Sequence, residues 1–222
     1  METMRNIILY KTLLLIGITA IFMIPPVDGQ VHPKITDEEV HRIHEKALTI
    51  DTHCDTPMDI IENGTDIGKR NTSGQVDLPR MKEGGLDAIF FAAYTGQKNR
   101  TAQNYGEAYK IANEMIDSTK SAVKKYHDLA EMAYTADDAA RIEKEGKRAI
   151  YIGMENGFPL DKEIKRVEEF YQKGVRYITL CHSFNNDICD SSTDPKGPEH
   201  DGLSPFGVEV VKEMNRLGMI VD

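Results

Sequence analysis

The sequence contains no CxxC pair, and its three cysteines, Cys54, Cys181 and Cys189, cannot all bridge one another. The first absence argues against a structural zinc site of the cysteine-rich kind. The second leaves at least one free thiol or an intermolecular bridge in an exported protein. No GxGxxG or P-loop glycine pattern follows the first apolar run, which weighs against a nucleotide-binding fold. There is no internal repeat and no low-complexity tract. Positive charge is in deficit, with 27 Lys and Arg against 36 Asp and Glu and a net charge of -9. That balance argues against nucleic acid, or an anionic membrane surface, as the main partner. What remains, 40% hydrophobic and 28% charged over 222 residues, is ordinary for a globular protein and ample for a core.

The N-terminus is of another kind. Arg5 and Lys11 flank an apolar stretch from Ile7 to Ile24, Pro25 and Pro26 end it, and Val27 and Gly29 precede Gln30. This pattern predicts a secretory signal peptide over residues 1–29, with an exported (periplasmic or extracellular) domain over residues 30–222. An uncleaved anchor is the alternative: residues 7–24 are near the minimum length for a span and would attach the protein to a membrane. No cysteine follows the stretch closely, which argues against a lipoprotein anchor.

Thereafter strands and helices alternate. Thr36-Asp-Glu-Glu39 reads as a capping box opening a short helix, with Val40, Ile43 and Ala47 on one face. An apolar, β-branched run over about Leu48 to Thr52 predicts the first strand, closed by His53-Cys54-Asp55 and Pro57. Residues 62–80, rich in Asn, Gly, Thr, Ser and Asp, read as loop. The second strand, about Leu86 to Tyr94, is nearly continuously apolar, as in a strand buried on both faces. A long helix over about Ala102 to Tyr126 keeps the three-four spacing. A helix over about Ala136 to Glu145, a strand over Arg148 to Met154, a helix over Asp161 to Lys173 and a strand over Val175 to Cys181 follow. The polar loop Asn185 to Gly202 is too long for a passive connection. Ser204-Pro205 opens a helix running to about Leu217, and Met219 to Asp222 begins a fifth strand. The order implies an α/β fold with parallel strands, as an open doubly wound sheet or part of a (β/α)8 barrel.

The chemistry-bearing residues follow strand ends: His53 and Asp55 after the first strand, Glu155 after the third and His182 after the fourth. Alternate residues of a strand face the same way, so His53 and Asp55 can share one divalent ion. Taken singly, each has a plain reading: a hydrogen-bonded turn histidine, a cap, a solvated loop acid, a satisfied histidine beside a strand. Taken together they fall on one rim, the carboxyl ends of parallel strands, where active sites are built. A carboxylate such as Glu155 can bridge two divalent ions, which lower the pKa of a shared water and make hydroxide available. His182 is placed to hydrogen-bond the resulting oxyanion. Gly153 and Gly157 beside Glu155 would leave room for a metal cluster near the backbone.

Six segments, in chain order, carry a resemblance. His53-Cys-Asp55, Asp77-Leu-Pro-Arg-Met-Lys-Glu-Gly-Gly85, Gly153-Met-Glu155-Asn-Gly157, Thr179-Leu-Cys-His182-Ser-Phe-Asn-Asn186, Gly202-Leu-Ser-Pro-Phe-Gly207 and Met214-Asn-Arg-Leu-Gly-Met-Ile-Val-Asp222 resemble the membrane (renal-type) dipeptidases, peptidase family M19, of the metal-dependent amidohydrolase superfamily. The resemblance implies a TIM-like (β/α)8 barrel with a binuclear Zn2+ site. It implies that His53 and Asp55 bind one zinc, that Glu155 bridges both, and that His182 contacts substrate and stabilises the tetrahedral intermediate. The implied substrates are dipeptides, including some with a D-residue at the C-terminal position. The family's further ligand histidines, substrate-binding arginine and catalytic aspartate would fall after Asp222. The expectation is therefore an N-terminal portion, truncated after about five strands, with little or no activity alone. Two other readings stand beside it: a secreted non-catalytic binding protein on the same scaffold, and another metal-dependent amidohydrolase acting on a cyclic amide or ester. Each is compatible with an oligomer.

Overall fold

The computed structural model describes residues 34–222, so the expected signal segment, residues 1–29, lies outside the described residues. The chain divides into two units, residues 1–42 and 43–222, and the sheet and all four candidate site residues belong to the second. Helix α1, Asp37–Lys46, begins at the expected capping box, where Glu39 N donates to Thr36 Oγ1 at 3.2 Å. Val40 and Ile43 are exposed, the helix buries none of its residues, and Ala47 lies just past its end. Acidic residues in its first turn and basic ones in its last oppose the helix dipole and sustain it on local terms.

The parallel strands are β1 (Ile50–Cys54), β2 (Ala88–Tyr94), β4 (Arg148–Glu155) and β5 (Val175–Thr179); β2 and β4 are buried almost throughout, whereas β1 is a largely exposed strand that begins two residues later than expected. They lie in the order β1-β2-β4-β5-β6, where β6 is Ile220–Val221. A three-residue strand, β3 (Ala130–Met132), runs beside the first half of β4, and β5 takes over beside the second half. All pairings are parallel, and the five-strand path makes half of a β/α barrel. The edge strands stand open, with Ile50 49% and Ile220 56% exposed.

The remaining helices are α2 (Thr56–Asn63), α3 (Leu78–Glu83), α4 (Ala102–Lys125), α5 (Ala136–Lys144), α6 (Lys165–Gln172) and α7 (Pro205–Leu217). One sheet face packs Ile152, Met154 and Ile178 against Ala112, Met115 and Ile116 of α4, with Phe170 of α6 and Val210 of α7 in the same cluster. Farther along, Ile89, Phe91 and Ile150 meet Val123 of α4 and Met81 of α3. The alternate residues Phe90, Tyr151 and Tyr177 form a separate cluster that Ala139 and Ile142 of α5 close. The stripe expected along the long helix is thus the buried one.

Several boundaries differ for local reasons. Pro57 sits in the first turn of α2, where its fixed φ and missing N–H suit a helix start rather than a stop. In the stretch read as loop, buried Asp77 caps α3 by accepting from Arg80 N at 2.8 Å. Helix α6 starts four residues later than expected because Asp161 and Lys162 have φ of 48° and 55°, incompatible with a right-handed helix. Strand β5 stops at Thr179, leaving Cys181 and His182 in the following loop. Cys181 and Cys189 are free thiols, and Cys181 Sγ donates to Asp190 O at 3.3 Å.

Candidate metal centre

The site begins with an irregularity in β1. Asp51 pairs with Ile89 while Cys54 pairs with Phe91, so β1 carries one more residue than β2 across this step. Such a bulge re-aims a side chain, here that of His53, whose backbone N–H donates to Asp51 Oδ1 at 3.0 Å. Asp55 lies past the strand, at the N-cap of α2, with φ of -83° and ψ of 15°. Its carboxylate makes no capping hydrogen bond and instead faces His53, with Oδ1 3.4 Å from Nε2. The two residues meet as expected, but through a bulge and a helix entry rather than through plain strand alternation.

Glu155, the last residue of β4, supplies the centre, with a side chain only 14% exposed. Its two oxygens face different partners: Oε2 lies 3.1 Å from His53 Nε2, and Oε1 lies 3.3 Å from His182 Nε2. His182 is oriented by Ser183, whose Oγ is 2.8 Å from Nδ1, and by the Tyr94 ring, met edge-on at 5.1 Å between centroids. All four residues singled out in the sequence therefore gather around one carboxylate.

Their neighbours in the sequence hold them there. Asn156 adopts a left-handed turn, with φ of 74°, and is fully buried. Its side chain donates to Thr95 O at 2.9 Å and accepts from Phe158 N at 3.2 Å and Asn186 Nδ2 at 3.1 Å. Asn186 in turn donates to Leu180 O at 2.8 Å and accepts from Ile188 N and Cys189 N. These paired amides join the turn after Glu155 to the loop after His182. The glycines serve differently from the expectation. A Cβ at Gly153 would overlap the Tyr177 ring, and one at Gly157 would overlap Ile188 Cδ1, so the space they leave is filled by protein.

Negative charge accumulates at this rim. Burial pushes the Tyr94 phenol above its usual pKa, and the charges of Glu155 and Asp55 push it further. Tyr177 is raised by burial first, then by Asp222, Glu155, Asp55 and Asp51. Carboxylate and imidazole atoms of His53, Asp55 and Glu155 all lie within 4.8 Å of one another. One imidazole nitrogen and two carboxylates, converging where the field is negative, fit a divalent cation of the zinc type. A separate cleft of about 690 Å³ opens between the loop after β2 and the loop after β5, lined by Gln97, Arg100, Phe184 and Lys196 among others; none of the four site residues lines it. The sequence reading passed over Tyr94 and Tyr177. Their signal was register, since Tyr94 pairs with Glu155, and Tyr177 with Gly153 two residues before it.

Several proteins similar to this chain are dipeptidases by name. The profile described as "Membrane dipeptidase (Peptidase family M19)" matches residues 37–222. Dipeptidase tcpJ of Claviceps purpurea is 37% identical over 157 residues, 69% of this chain and 37% of its own length. Mouse Dipeptidase 3 is 33% identical over 198 residues, covering 82% of this chain and 38% of its own. The crystal structure of the probable dipeptidase PvdM from Pseudomonas aeruginosa superposes with a TM-score of 0.76 at 27% identity, over 83% of this chain and 48% of that one. The chain spans half or less of the length of these relatives. A profile match over most of its length, with the half-barrel it folds into, places this chain in the membrane dipeptidase family of metallopeptidases, peptidase family M19.

Proposed function

We propose that the protein carrying this chain is a zinc dipeptidase, and that His53, Asp55 and Glu155 form the side of its metal site that the chain supplies. The observation that carries the reading is how Glu155 divides its oxygens, Oε2 toward His53 and Oε1 toward His182, with Asp55 in the same cluster. A carboxylate so placed suits a bridging role between two ions. Bound there, zinc would supply Lewis-acid polarisation of the scissile carbonyl and a lowered pKa for water. The protein's own part is positional. His53 and Asp55 enter from one strand end, Glu155 from the next but one, and the buried Asn156–Asn186 pair keeps the two loops in register. His182 Nε2 faces the Glu155 carboxylate, which accepts, so a neutral ring carries its proton there and takes a hydrogen bond from Ser183 at Nδ1; that Nε2 proton would be poised for the oxyanion that forms as the peptide carbonyl is attacked. The same reading takes residues 1–29 as an export signal and the domain from residue 30 as periplasmic or extracellular. Among the described residues no helix is long and apolar enough to cross a membrane.

The ligands gathered here are one imidazole and two carboxylates, which we expect to hold zinc weakly, so the chain by itself should hydrolyse dipeptides slowly or not at all. The test is zinc titration of the purified chain and of its His53→Ala and Glu155→Gln variants, with a dipeptide panel in parallel. The expected result is one saturable zinc site, lost in both variants. Zinc binding that is the same in all three proteins refutes the ligand assignment. A stable chain that takes up no zinc favours the non-catalytic binding protein instead. Brisk dipeptide hydrolysis by the chain would refute the expectation of low activity.

A further inference from the structure

The imidazole of His53 presents only Nε2 to Asp55 and Glu155. Its other nitrogen, Nδ1, lies 2.9 Å from the hydroxyl of Tyr177. Tyr177 belongs to β5, three places along the half-barrel sheet from β1, yet its hydroxyl reaches His53. Its register partner is Gly153, where any Cβ would overlap the phenol ring. Phe90 packs on the ring at 5.4 Å between centroids, and Tyr151 stacks on Phe90 at 4.6 Å. The ring is 5% exposed, so its hydroxyl is held in place by packing on several sides.

We infer that Tyr177 is a positioning residue of the metal centre, and that its hydroxyl fixes the ring orientation and tautomer of His53 so that Nε2 can act as a ligand. The inference rests on His53 being a ligand. An imidazole that ligates through Nε2 must carry its proton on Nδ1 and needs an acceptor there. A phenol can accept as well as donate. In the metal-free protein Nε2 faces two carboxylates, which only accept, so a neutral ring carries its proton on Nε2 and Tyr177 donates to Nδ1. With a metal at Nε2 the proton sits on Nδ1 and Tyr177 accepts it. The ring gains and loses no net proton between these states. A carboxylate in the place of Tyr177 could serve only the second state. Gly153 is what admits the phenol, which gives a physical reason for a glycine inside a central strand.

The experiment compares zinc affinity, by competition with a chromophoric chelator, for the chain and its Tyr177→Phe, Gly153→Ala and His53→Ala variants. Nitrogen-15 NMR of the His53 ring and thermal unfolding of the metal-free proteins accompany it. Tyr177→Phe keeps the ring and removes only the hydroxyl. The expected outcome is a zinc Kd raised about 10- to 100-fold, the usual range for losing such a partner, with little change in unfolding temperature. In the unsubstituted chain, zinc should move the His53 proton from Nε2 to Nδ1; in Tyr177→Phe the metal-free ring should show a mixture of tautomers. Gly153→Ala, which displaces the ring but keeps the hydroxyl, should weaken zinc binding similarly; Tyr177→Phe decides the matter if that variant does not fold. Equal zinc affinity in the chain and Tyr177→Phe, with binding lost in His53→Ala, overturns the inference and leaves the ligand assignment standing. Binding that survives His53→Ala overturns both.

Discussion

Replacing Asp77 by alanine should destabilise the fold without touching the candidate metal centre. The carboxylate is fully buried and does three things at once. Oδ1 accepts from Arg80 N at 2.8 Å as the cap of α3, and Oδ2 accepts from Asn71 N at 2.8 Å and from Arg80 Nε at 2.7 Å. Losing a helix cap costs about 1 kcal/mol. Losing a charge-assisted bond to a part-buried amide costs about 1.5–2 kcal/mol. The Arg80 side chain is 23% exposed and can turn toward water, so the broken ion pair adds less than about 1 kcal/mol. The total is about 3 kcal/mol, equivalent to a fall in Tm of about 6–12 °C for a protein of this size. Burial alone would raise the pKa of Asp77, but the amides of Asn71 and Arg80 and the Arg80 guanidinium outweigh it and hold it below the ordinary carboxylate range. A group depressed in the folded state stabilises above its unfolded pKa and loses that contribution as the pH falls through its folded value. The gap between Asp77→Ala and the unsubstituted chain should therefore shrink on acidification. Urea unfolding followed by circular dichroism, at neutral pH and in acid, measures both effects. A loss below about 0.5 kcal/mol at neutral pH, the size of an ordinary surface change, would refute the reasoning. So would a fall in zinc affinity with stability intact, because the Asp77 motif would then serve the site and not the fold.

Gly207→Ala should be among the most damaging small substitutions, since its Cβ would overlap the backbone carbonyl of Ile188, which has no rotamer to yield. A loss of about 3 kcal/mol, or failure to fold, is expected, and an unchanged urea midpoint would count against the close approach of α7 to the long loop. Asn156→Ala leaves Thr95 O and Phe158 N without their partners and strands alanine at a positive φ, so about 2–4 kcal/mol should be lost. Zinc affinity should fall with it, because the turn that aims Glu155 is released; titration beside unfolding tests the pair of effects. The Tyr126 hydroxyl, 2.7 Å from Asp66, is the main reason the Asp66 pKa lies at about 2 instead of 3.8. That stability is fully present above the ordinary carboxylate range and disappears as the pH falls toward about 2. Tyr126→Phe should move the NMR titration of Asp66 upward, and an unmoved curve would remove the hydroxyl from the account.

The resemblance segments divide between the candidate site and the scaffold. His53, Asp55, Glu155 and His182 meet at the rim, whereas Asp77 and Gly207 do architectural work well along the chain from it. Asn156 and Asn186 stand between the two classes, since their hydrogen bonds join the two loops that carry Glu155 and His182.

Sequence alone determined the alternation of strands and helices, because buried parallel strands must be apolar runs and the helices that cover them must carry an apolar stripe. It also determined which four polar residues could share a rim, since strand ends are legible from where apolar runs stop. It could not supply the way His53 and Asp55 meet. That depends on a bulge whose extra residue is visible only against its partner strand, and on a proline that opens α2 instead of closing β1. Nor could it supply α3 or β3, whose six and three residues are too short to show a period. The role of Tyr177 was hidden for a deeper reason. A tyrosine inside an apolar run reads as core, and this one is core; only the half-barrel sheet brings its hydroxyl to His53, and only Gly153 opposite lets the ring pass.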